Sequence, residues 1–220
     1  LDKKFKAAMM KSIAQSELDR KRFVYSDIGF ILLQQVVEAV TGKTLDAYLV
    51  SEFYRPMGLE HTLFQPLNRY KKADIMPTAA NDYLRRQDLC GYVHDEAAAF
   101  MGGVSGNAGL FSTAQELGKI YQMILNEGEL DGKRYLRPET CRIFTTEKSA
   151  VSHRGLGYDK PNLKDPKANA CASSAPASVY GHTGFTGTCA WVDPENDLVY
   201  IFLSNRLCPD AWNGKLNSMK

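Results

Sequence analysis

The spacing of apolar residues changes along this chain, and that change restricts its possible folds more than any other feature. Apolar side chains recur at helical intervals over about 28–40, 45–53 and 117–125, whereas short runs of β-branched and aromatic residues follow after about residue 150. Helices first and paired strands last are typical of an α+β fold. We therefore predict one domain, with a mostly helical part over 1–150 and a C-terminal β-strand part over 151–220.

Capping and breaking residues set the limits of the first two predicted helices. Ser26 or Asp27 can cap the first helix, and Gly42 supplies the left-handed residue that ends it. A second helix begins after Thr44 and is stopped by the Arg-Pro pair at 55–56. This part of the chain is therefore predicted to hold two helices in succession.

Later signals predict two more helices and a hairpin. Ser112 and Gln115 form a capping box ahead of the third helix, and Pro138 opens a short fourth one. The runs 186–192 and 198–204 are joined by Asp-Pro-Glu-Asn-Asp, a strong turn signal, which predicts an antiparallel hairpin. The stretches 65–107 and 160–178 are predicted to be irregular.

Charge and residue spacing exclude several classes of partner. The net charge is +2 with basic residues scattered along the chain, which gives no reason to expect a nucleic-acid or membrane-surface partner. No apolar run in the sequence, including 28–33, is long enough to span a bilayer. The four histidines and five cysteines show no metal-ligand spacing, so we expect neither a metal site nor a cofactor.

The first candidate for chemistry is the Tyr25-Ser26-Asp27 cluster at a predicted helix start. Unpaired backbone N–H groups and the positive end of the helix dipole favour a phenolate, which suits a tyrosine acting as a general base. The alternative is purely structural: an aromatic residue packs against the helix, and Ser26 or Asp27 caps it.

The second candidate is the glycine-rich stretch 181–188, which contains His182 and Thr183 and lies just before the hairpin. Its three glycines allow a close backbone approach or an edge strand free of bulk. N–H groups of an edge strand can stabilise an oxyanion or pair with an extended ligand. The alternative is a tightly packed strand whose small residues serve packing alone.

These two clusters, together with several short sequence motifs that occur in the family's order, resemble the class C β-lactamase, DD-peptidase and related esterase family. The resemblance covers about 23–209 and is most similar to the modules that follow a family 3 glycosidase domain. It implies a β-lactamase/transpeptidase-like fold, with an antiparallel sheet packed with helices and a mostly helical subdomain. The additional phrases are the glycine-rich run 102–109 with Leu-Phe-Ser-Thr-Ala after it, Phe-Tyr-Arg-Pro-Met-Gly-Leu at 53–59, Arg-Gly-Leu-Gly-Tyr at 154–158 and Leu-Ser-Asn-Arg at 203–206.

The resemblance also assigns catalytic roles. Tyr25 matches the tyrosine that helps activate the nucleophilic serine and protonates the leaving group. Asp27 replaces the usual Asn of Tyr-x-Asn, and a carboxylate cannot donate a hydrogen bond as an amide can. His182 replaces the Lys of Lys-Thr-Gly, which makes the positive charge there dependent on pH.

Substrate-binding positions follow in the same way. The backbone N–H of Phe185 would donate to the oxyanion, and Thr183, Gly184 and Asn205 would bind substrate. We expect Tyr25 and His182 to face a common cleft beside the glycine-lined edge of the sheet.

The nucleophile that this family needs is missing from the chain. Its chemistry uses Ser-x-x-Lys, and only Thr145 among all serines and threonines has a lysine, Lys148, three residues later. That pair follows the tyrosine motif, whereas the family's serine precedes it. We therefore expect an inactive fragment of a serine hydrolase, cut at both ends, that self-associates through its exposed sheet face.

The parent is expected to hydrolyse β-lactams, D-Ala peptides or esters through an acyl-enzyme. The resemblance implies a small-molecule or peptidoglycan-derived substrate and a periplasmic, cell-envelope or secreted location. The changes at Asp27 and His182 keep open a second hypothesis: a non-catalytic β-lactamase-like module that binds cell-wall fragments or supports a neighbouring enzyme.

Overall fold

A computed structural model describes residues 4–17, 23–146 and 149–210. Lys148, the partner of the chance Thr-x-x-Lys match, lies outside these residues. The chain divides into two compact units: the first takes in the described residues up to Ser112 together with 207–210, and the second runs over 113–206. Within the described residues, no helix combines the length and the apolar character needed to cross a bilayer.

The first unit contains more helix than strand and carries two short sheets. Strands β1 (Leu63–Phe64) and β4 (Leu110–Phe111) pair antiparallel, as do β2 (Pro77–Asp82) and β3 (Gln87–Cys90). Ile31, Leu89, Ala98 and Leu207 are at most 1% exposed and mark its interior. The elements of this unit are α1 (Lys4–Gln15), α2 (Ile28–Thr41), α3 (Leu45–Leu49), a π-helical turn (Val50–Tyr54), β1 (Leu63–Phe64), 3₁₀ turns (Pro66–Asn68 and Lys72–Asp74), β2 (Pro77–Asp82), β3 (Gln87–Cys90), α4 (Glu96–Phe100) and β4 (Leu110–Phe111).

The second unit contains a three-stranded antiparallel sheet in the order β7 (Tyr180–Gly184), β8 (Thr188–Asp193), β9 (Leu198–Phe202), and α5 (Ala114–Leu125) packs on β9. Val179, Tyr180, Trp191 and Val192 are buried there. The elements of this unit are α5 (Ala114–Leu125), β5 (Glu129–Leu130), β6 (Lys133–Arg134), α6 (Pro138–Thr146), a 3₁₀ turn (Pro166–Ala168), β7 (Tyr180–Gly184), β8 (Thr188–Asp193) and β9 (Leu198–Phe202). Helices beside antiparallel sheets confirm the predicted α+β class.

The predicted helix ends and hairpin are present. Gly42 ends α2 with φ +66°, in the left-handed region that glycine adopts without strain. Pro138 is the first residue of α6. Strands β8 and β9 form the predicted antiparallel hairpin, with Asp193 opposite Leu198 across the turn. These features were predictable because each depends on residues close together in sequence.

Two local predictions were wrong. Thr113, not Ser112, caps α5: its hydroxyl accepts from the backbone N–H of Glu116 at 3.3 Å, whereas the Ser112 hydroxyl bonds that of Thr62 at 2.7 Å. The stretch 65–107 is also more regular than predicted, because it contains the β2–β3 hairpin and α4. The Asp95 carboxylate caps α4 by accepting from Ala98 N at 2.7 Å.

Candidate active site

The Tyr25-Ser26-Asp27 cluster leads directly into α2. The Tyr25 side chain is 55% exposed, so it is not buried in an apolar core. The Ser26 hydroxyl accepts from the backbone N–H of Ile28 at 3.2 Å, while the Asp27 carboxylate makes no capping hydrogen bond. Asp27 is the N-cap residue by its backbone, because its carbonyl accepts from the N–H of Ile31 at 3.1 Å. The Ser26 hydroxyl, and not the Asp27 carboxylate, caps an N–H of the first turn.

The glycine-rich run 102–109 holds α2 in place within the first unit. The side chain of Gln34, 3% exposed, donates to the carbonyl of Val104 at 3.2 Å and accepts from the N–H of Gly106 at 3.1 Å. A Cβ at Gly106 would collide with the carbonyl oxygen of Phe30 on α2. The run is therefore a structural loop, and Gly106 is required because the loop backbone touches the helix.

A buried ion pair supports the chain that leads into this loop. Arg85 binds the Asp82 carboxylate through two nitrogens, at 2.9 Å each, and donates to the carbonyls of residues 93 and 94. The hydrogen bond from Arg85 holds the pKa of Asp82 below its usual value. Asp95 directly follows the two residues whose carbonyls Arg85 contacts, and its carboxylate accepts from the side-chain amide of Asn107 at 3.0 Å. The Asp82–Arg85 ion pair is therefore linked through this segment to the end of the glycine-rich run.

The second cluster lies on β7, an outer strand of the three-stranded sheet. His182 is opposite Ala190 and Thr183 is opposite Cys189 in the β7–β8 register. A Cβ at Gly181 would collide with the carbonyl oxygen of Ala190 and come within 2.6 Å of the Trp191 ring. The first glycine of the cluster therefore serves the close approach of two strands, as the packing interpretation predicted.

A tight turn joins β7 to β8 and contains the predicted oxyanion donor. The N–H of Gly187 donates to the carbonyl of Gly184 at 3.0 Å, and Gly187 has φ +102°. Phe185 lies in this turn with its side chain 66% exposed. The turn conformation needs glycine at 187, because L side chains rarely adopt that φ and a Cβ there would lie 2.7 Å from the Ser204 hydroxyl.

The segment 204–206 is fixed against this turn. The backbone N–H of Arg206 donates to the carbonyl of Thr186 at 3.1 Å, and its Nε donates to the carbonyl of Phe185 at 2.6 Å. The guanidinium carbon also lies 4.5 Å from the centre of the Phe185 ring. Asn205 lies between Ser204 and Arg206, so this candidate is held beside the turn by its neighbours.

The imidazole of His182 contacts a residue to which the sequence had assigned no role. Arg154 Nη1 lies 2.8 Å from His182 Nε2, and His182 Nδ1 lies 2.7 Å from the carbonyl oxygen of Thr183. Arg154 in turn faces the Asp159 carboxylate, with 3.5 Å between Nη2 and Oδ2. Arg154 is the first residue of the Arg-Gly-Leu-Gly-Tyr motif, so the sequence did mark this segment. No rule of residue spacing, however, linked Arg154 to His182.

Comparison with known proteins identifies the family. The family model described as Beta-lactamase matches residues 1–214. The chain belongs to the β-lactamase family. The model covers nearly the whole chain, so the membership does not depend on a single motif, and it confirms the serine β-lactamase and penicillin-binding protein resemblance seen in the sequence.

Curated relatives of this β-lactamase-family chain share one description. A protein of Escherichia coli (strain K12), described as "Putative D-alanyl-D-alanine carboxypeptidase", is 38% identical over 197 residues, covering 84% of this chain and 45% of the relative. A Salmonella gallinarum protein with the same description is 32% identical over 227 residues, covering 96% and 52%. The chain thus spans about half the length of these relatives.

Solved structures support the same fold. A penicillin-binding protein homologue from Caulobacter crescentus superimposes with a TM-score of 0.62 at 19% identity, covering 92% of this chain and 58% of that one. At that identity the likeness concerns the fold alone. Together with the family match, it assigns the β-lactamase/transpeptidase-like fold to the chain.

The candidate residues fall in both units of this family member. Tyr25 and Asp27 belong to the first unit, and His182, Thr183, Gly184, Phe185 and Asn205 belong to the second. Within the second unit, the five residues share β7, the turn after it and the segment 204–206 fixed against that turn. The roles that the resemblance assigns to all seven remain predictions.

Two buried tyrosines in the second unit are poorly suited to proton transfer. The rings of Tyr158 and Tyr180 pack 5.0 Å apart, and burial raises the pKa of both phenols. A phenol of raised pKa holds its proton at neutral pH and is a poor base. Among the described residues, no group of three or more His, Cys, Asp or Glu side chains is arranged to hold a metal ion.

Proposed function

We propose that this chain provides part of the active site of an acyl-transfer hydrolase that acts on peptides ending in D-alanyl-D-alanine. Membership of the β-lactamase family makes a serine hydrolase the appropriate enzyme class. The description shared by the curated relatives supports the peptide over a β-lactam or a simple ester as the substrate. Such a substrate would place the protein in the cell envelope.

The observation that carries the proposal is the outer strand β7. It presents a half-buried imidazole at His182 and an exposed hydroxyl at Thr183, and it leads into the turn that contains Phe185. The backbone of Gly181 is already paired with that of Asp159. Beyond that bridge, an outer strand can pair with an extended peptide through its backbone, while its side chains select the ligand. This arrangement suits a peptide substrate.

The proton-transfer role is assigned to the first short motif. Tyr25 takes the proton from the nucleophilic hydroxyl and returns it to the leaving amine as the acyl-enzyme forms. The exposure of Tyr25 supports this role, because a reacting phenol must be reached by substrate. Asp27 accepts a hydrogen bond from the substrate's amide N–H, since a carboxylate cannot donate one to its carbonyl.

The remaining candidates bind the reacting peptide. The backbone N–H of Phe185 stabilises the oxyanion of the tetrahedral intermediate. Thr183 and Gly184 line the strand edge along which the peptide lies, and Asn205 hydrogen-bonds the peptide beyond the scissile bond. The bonds from Arg206 to the carbonyls of Phe185 and Thr186 support these roles by holding the turn rigid.

The 220 residues by themselves are proposed to turn over no substrate, because they contain no Ser-x-x-Lys. The chain incubated with a fluorescent penicillin is expected to remain unlabelled after denaturing electrophoresis. Labelling of any residue in it would show that a nucleophile is present and would overturn this part of the proposal.

The enzyme proposal is tested on the protein encoded by the complete reading frame. If a Ser-x-x-Lys precedes Tyr25 there, the protein should release D-alanine from a peptide ending in D-alanyl-D-alanine, and Tyr25→Phe should lower kcat at least about 100-fold. Tyr92→Phe is the matched control, because Tyr92 is 56% exposed against 55% for Tyr25. Equal loss in both variants, or no release by the parent, would contradict the proposal.

A second candidate function is a non-catalytic module that binds cell-wall fragments. It is favoured by Asp27 and His182, which stand where the family usually has Asn and Lys. The same experiment separates the two. A reading frame without Ser-x-x-Lys, together with saturable binding of a peptidoglycan fragment and no release of D-alanine, would support the binding module.

A further inference from the structure

The hydrogen bonds of His182 determine where its proton sits. A guanidinium can only donate hydrogen bonds, and a backbone carbonyl oxygen can only accept them. His182 Nε2 faces Arg154 Nη1 at 2.8 Å, and Nδ1 faces the carbonyl oxygen of Thr183 at 2.7 Å. Nε2 must therefore accept and Nδ1 must donate. A neutral imidazole protonated on Nδ1 satisfies both contacts, whereas the other tautomer satisfies neither.

The charged form of His182 does not fit this arrangement. An imidazolium would place an N–H at Nε2 against an N–H of Arg154, so the hydrogen bond would be lost and two cations would lie in contact. We infer that Arg154 is a positioning residue that holds His182 as the neutral Nδ1–H tautomer and itself supplies the permanent positive charge at this strand.

The carboxylate of Asp159 orients the Arg154 guanidinium towards His182. Its carboxylate, in a residue that is 7% exposed, accepts from the backbone N–H of Lys160 at 3.1 Å, and Oδ1 lies 2.8 Å from His153 Nε2. The other oxygen, Oδ2, lies 3.5 Å from Arg154 Nη2. Asp159 therefore has one oxygen anchored by two groups and the other directed at the guanidinium.

The same residue is tied to the strand that carries His182. The backbone N–H of Asp159 donates to the carbonyl of Gly181 at 2.7 Å, and the N–H of Gly181 donates to the carbonyl of Asp159 at 3.1 Å. Gly181 directly precedes His182. The carboxylate that orients Arg154 and the imidazole that Arg154 contacts are thus fixed by one pair of backbone hydrogen bonds, which limits their relative movement.

This inference deepens the proposed function and rests on it for its catalytic meaning. The sequence predicted that replacing Lys by His would make the positive charge at this position depend on pH. Arg154 removes that dependence, because a guanidinium stays protonated at any pH an enzyme works at. His182 is then a neutral hydrogen-bonding group, and Arg154 takes over the electrostatic role of the missing lysine.

The test reads the two ring nitrogens of His182 by NMR. The full chain is labelled with [15N]histidine, long-range 1H–15N correlations are recorded at a pH of about 8, where histidines of ordinary pKa are neutral, and His182→Gln identifies the signal. We expect an unprotonated-type Nε2 and a protonated-type Nδ1. A protonated-type Nε2 in the unaltered chain would overturn the inference.

Two substitutions test whether Arg154 is responsible. Arg154→Glu replaces a donor by an acceptor, so Nε2 should shift into the protonated range, while Arg154→Lys keeps a donor-only group and should retain the original pattern. Arg142→Glu, at an exposed arginine of α6 paired with Glu127 and Glu139, is the control and should leave His182 unchanged. An unchanged Nε2 shift in a folded Arg154→Glu chain would contradict the positioning role.

The measurement separates this inference from the proposed function because it needs no turnover. If the Nδ1–H pattern is found but the complete protein releases no D-alanine, the hydrolase proposal fails and the positioning role of Arg154 stands. If D-alanine is released but Nε2 carries the proton, the positioning role fails alone.

Discussion

The two short motifs that marked this chain as a hydrolase relative are held in different ways. Tyr25-Ser26-Asp27 is an exposed segment ahead of α2, fixed locally by the Ser26 cap and further away by the contact of α2 with the glycine-rich run. The motif on β7 lies inside a network of strand pairing, a tight turn and the Arg154–Asp159 pair. One motif depends mainly on a helix end, the other on contacts between residues far apart in sequence.

Because of this difference, some residues can be substituted with little loss of folding stability and others cannot. A cap contributes about 1 kcal/mol and can be replaced by water, since a helix end is exposed. A strand whose neighbour leaves no room for a side chain has no such alternative, because the pairing must open to admit one. Substitutions near β7 should therefore cost more than substitutions at the start of α2.

The largest effect is expected at Gly181. Gly181→Val should lower the free energy of unfolding by about 4 kcal/mol, since even the first added carbon collides with the Ala190 carbonyl. Urea denaturation measures the loss, and hydrogen exchange should show it over 180–202. Gly118→Ala is the control: nothing lies within 4 Å of a Cβ there, and a mid-helix alanine should stabilise by about 0.5–1 kcal/mol. A folded, equally stable Gly181→Val chain would remove the distinction between the two motifs.

A smaller effect is expected at the buried ion pair that supports the first motif from a distance. Asp82→Asn should lower the free energy of unfolding by about 3 kcal/mol at neutral pH, because it leaves the Arg85 charge without its carboxylate. The matched control is Glu129→Gln in the exposed pair with Arg134, where the loss should be at most about 0.5 kcal/mol. Similar losses at both sites would show that burial does not distinguish them.

The pH dependence of that effect follows from the lowered pKa of Asp82. A carboxyl whose pKa is lower in the folded state stabilises the fold fully above its unfolded pKa of about 3.9, and this contribution is lost as pH falls through the folded value. The stability difference between the unaltered chain and Asp82→Asn should therefore shrink below about pH 4. Urea denaturation across pH measures it, and a difference that grows on acidification would contradict the sign.

The smallest effect is expected at the start of α2. Ser26→Ala removes the hydroxyl that accepts from Ile28 N and should cost about 1 kcal/mol, with Ser26→Thr retaining most of the stability. Hydrogen exchange of the first turn of α2 measures the loss, and exchange over 180–202 should not change. A loss as large as that of Gly181→Val would mean that the first motif is not held locally.

Much of the fold could be predicted because it is encoded in short stretches. Gly42, Pro138 and the turn between β8 and β9 act on their immediate neighbours, and all three were correct. The misplaced cap of α5 shows the limit of such reasoning. Ser112 and Thr113 are both good caps, and only the distant Thr62, which bonds the Ser112 hydroxyl, decides between them.

The candidate site shows the same limit. The motifs containing Tyr25 and His182 were recognisable in sequence, but the partner of His182 was not. Arg154 lies 28 residues before it, and no helical or strand period connects positions so far apart. The Arg-Gly-Leu-Gly-Tyr motif that Arg154 begins indicated the family but not the contact with His182.

The amino-acid sequence by itself determined the α+β class, the helix ends, the final hairpin and the family, because these depend on local conformational preferences and on the order of short motifs. Only the tertiary structure decided which hydroxyl caps α5, why Gly106 and Gly181 cannot carry side chains, and which cation faces His182. Those outcomes depend on atoms that the folded backbone brings within hydrogen-bonding or van der Waals distance. Such distances cannot be inferred from the separation of residues along the sequence.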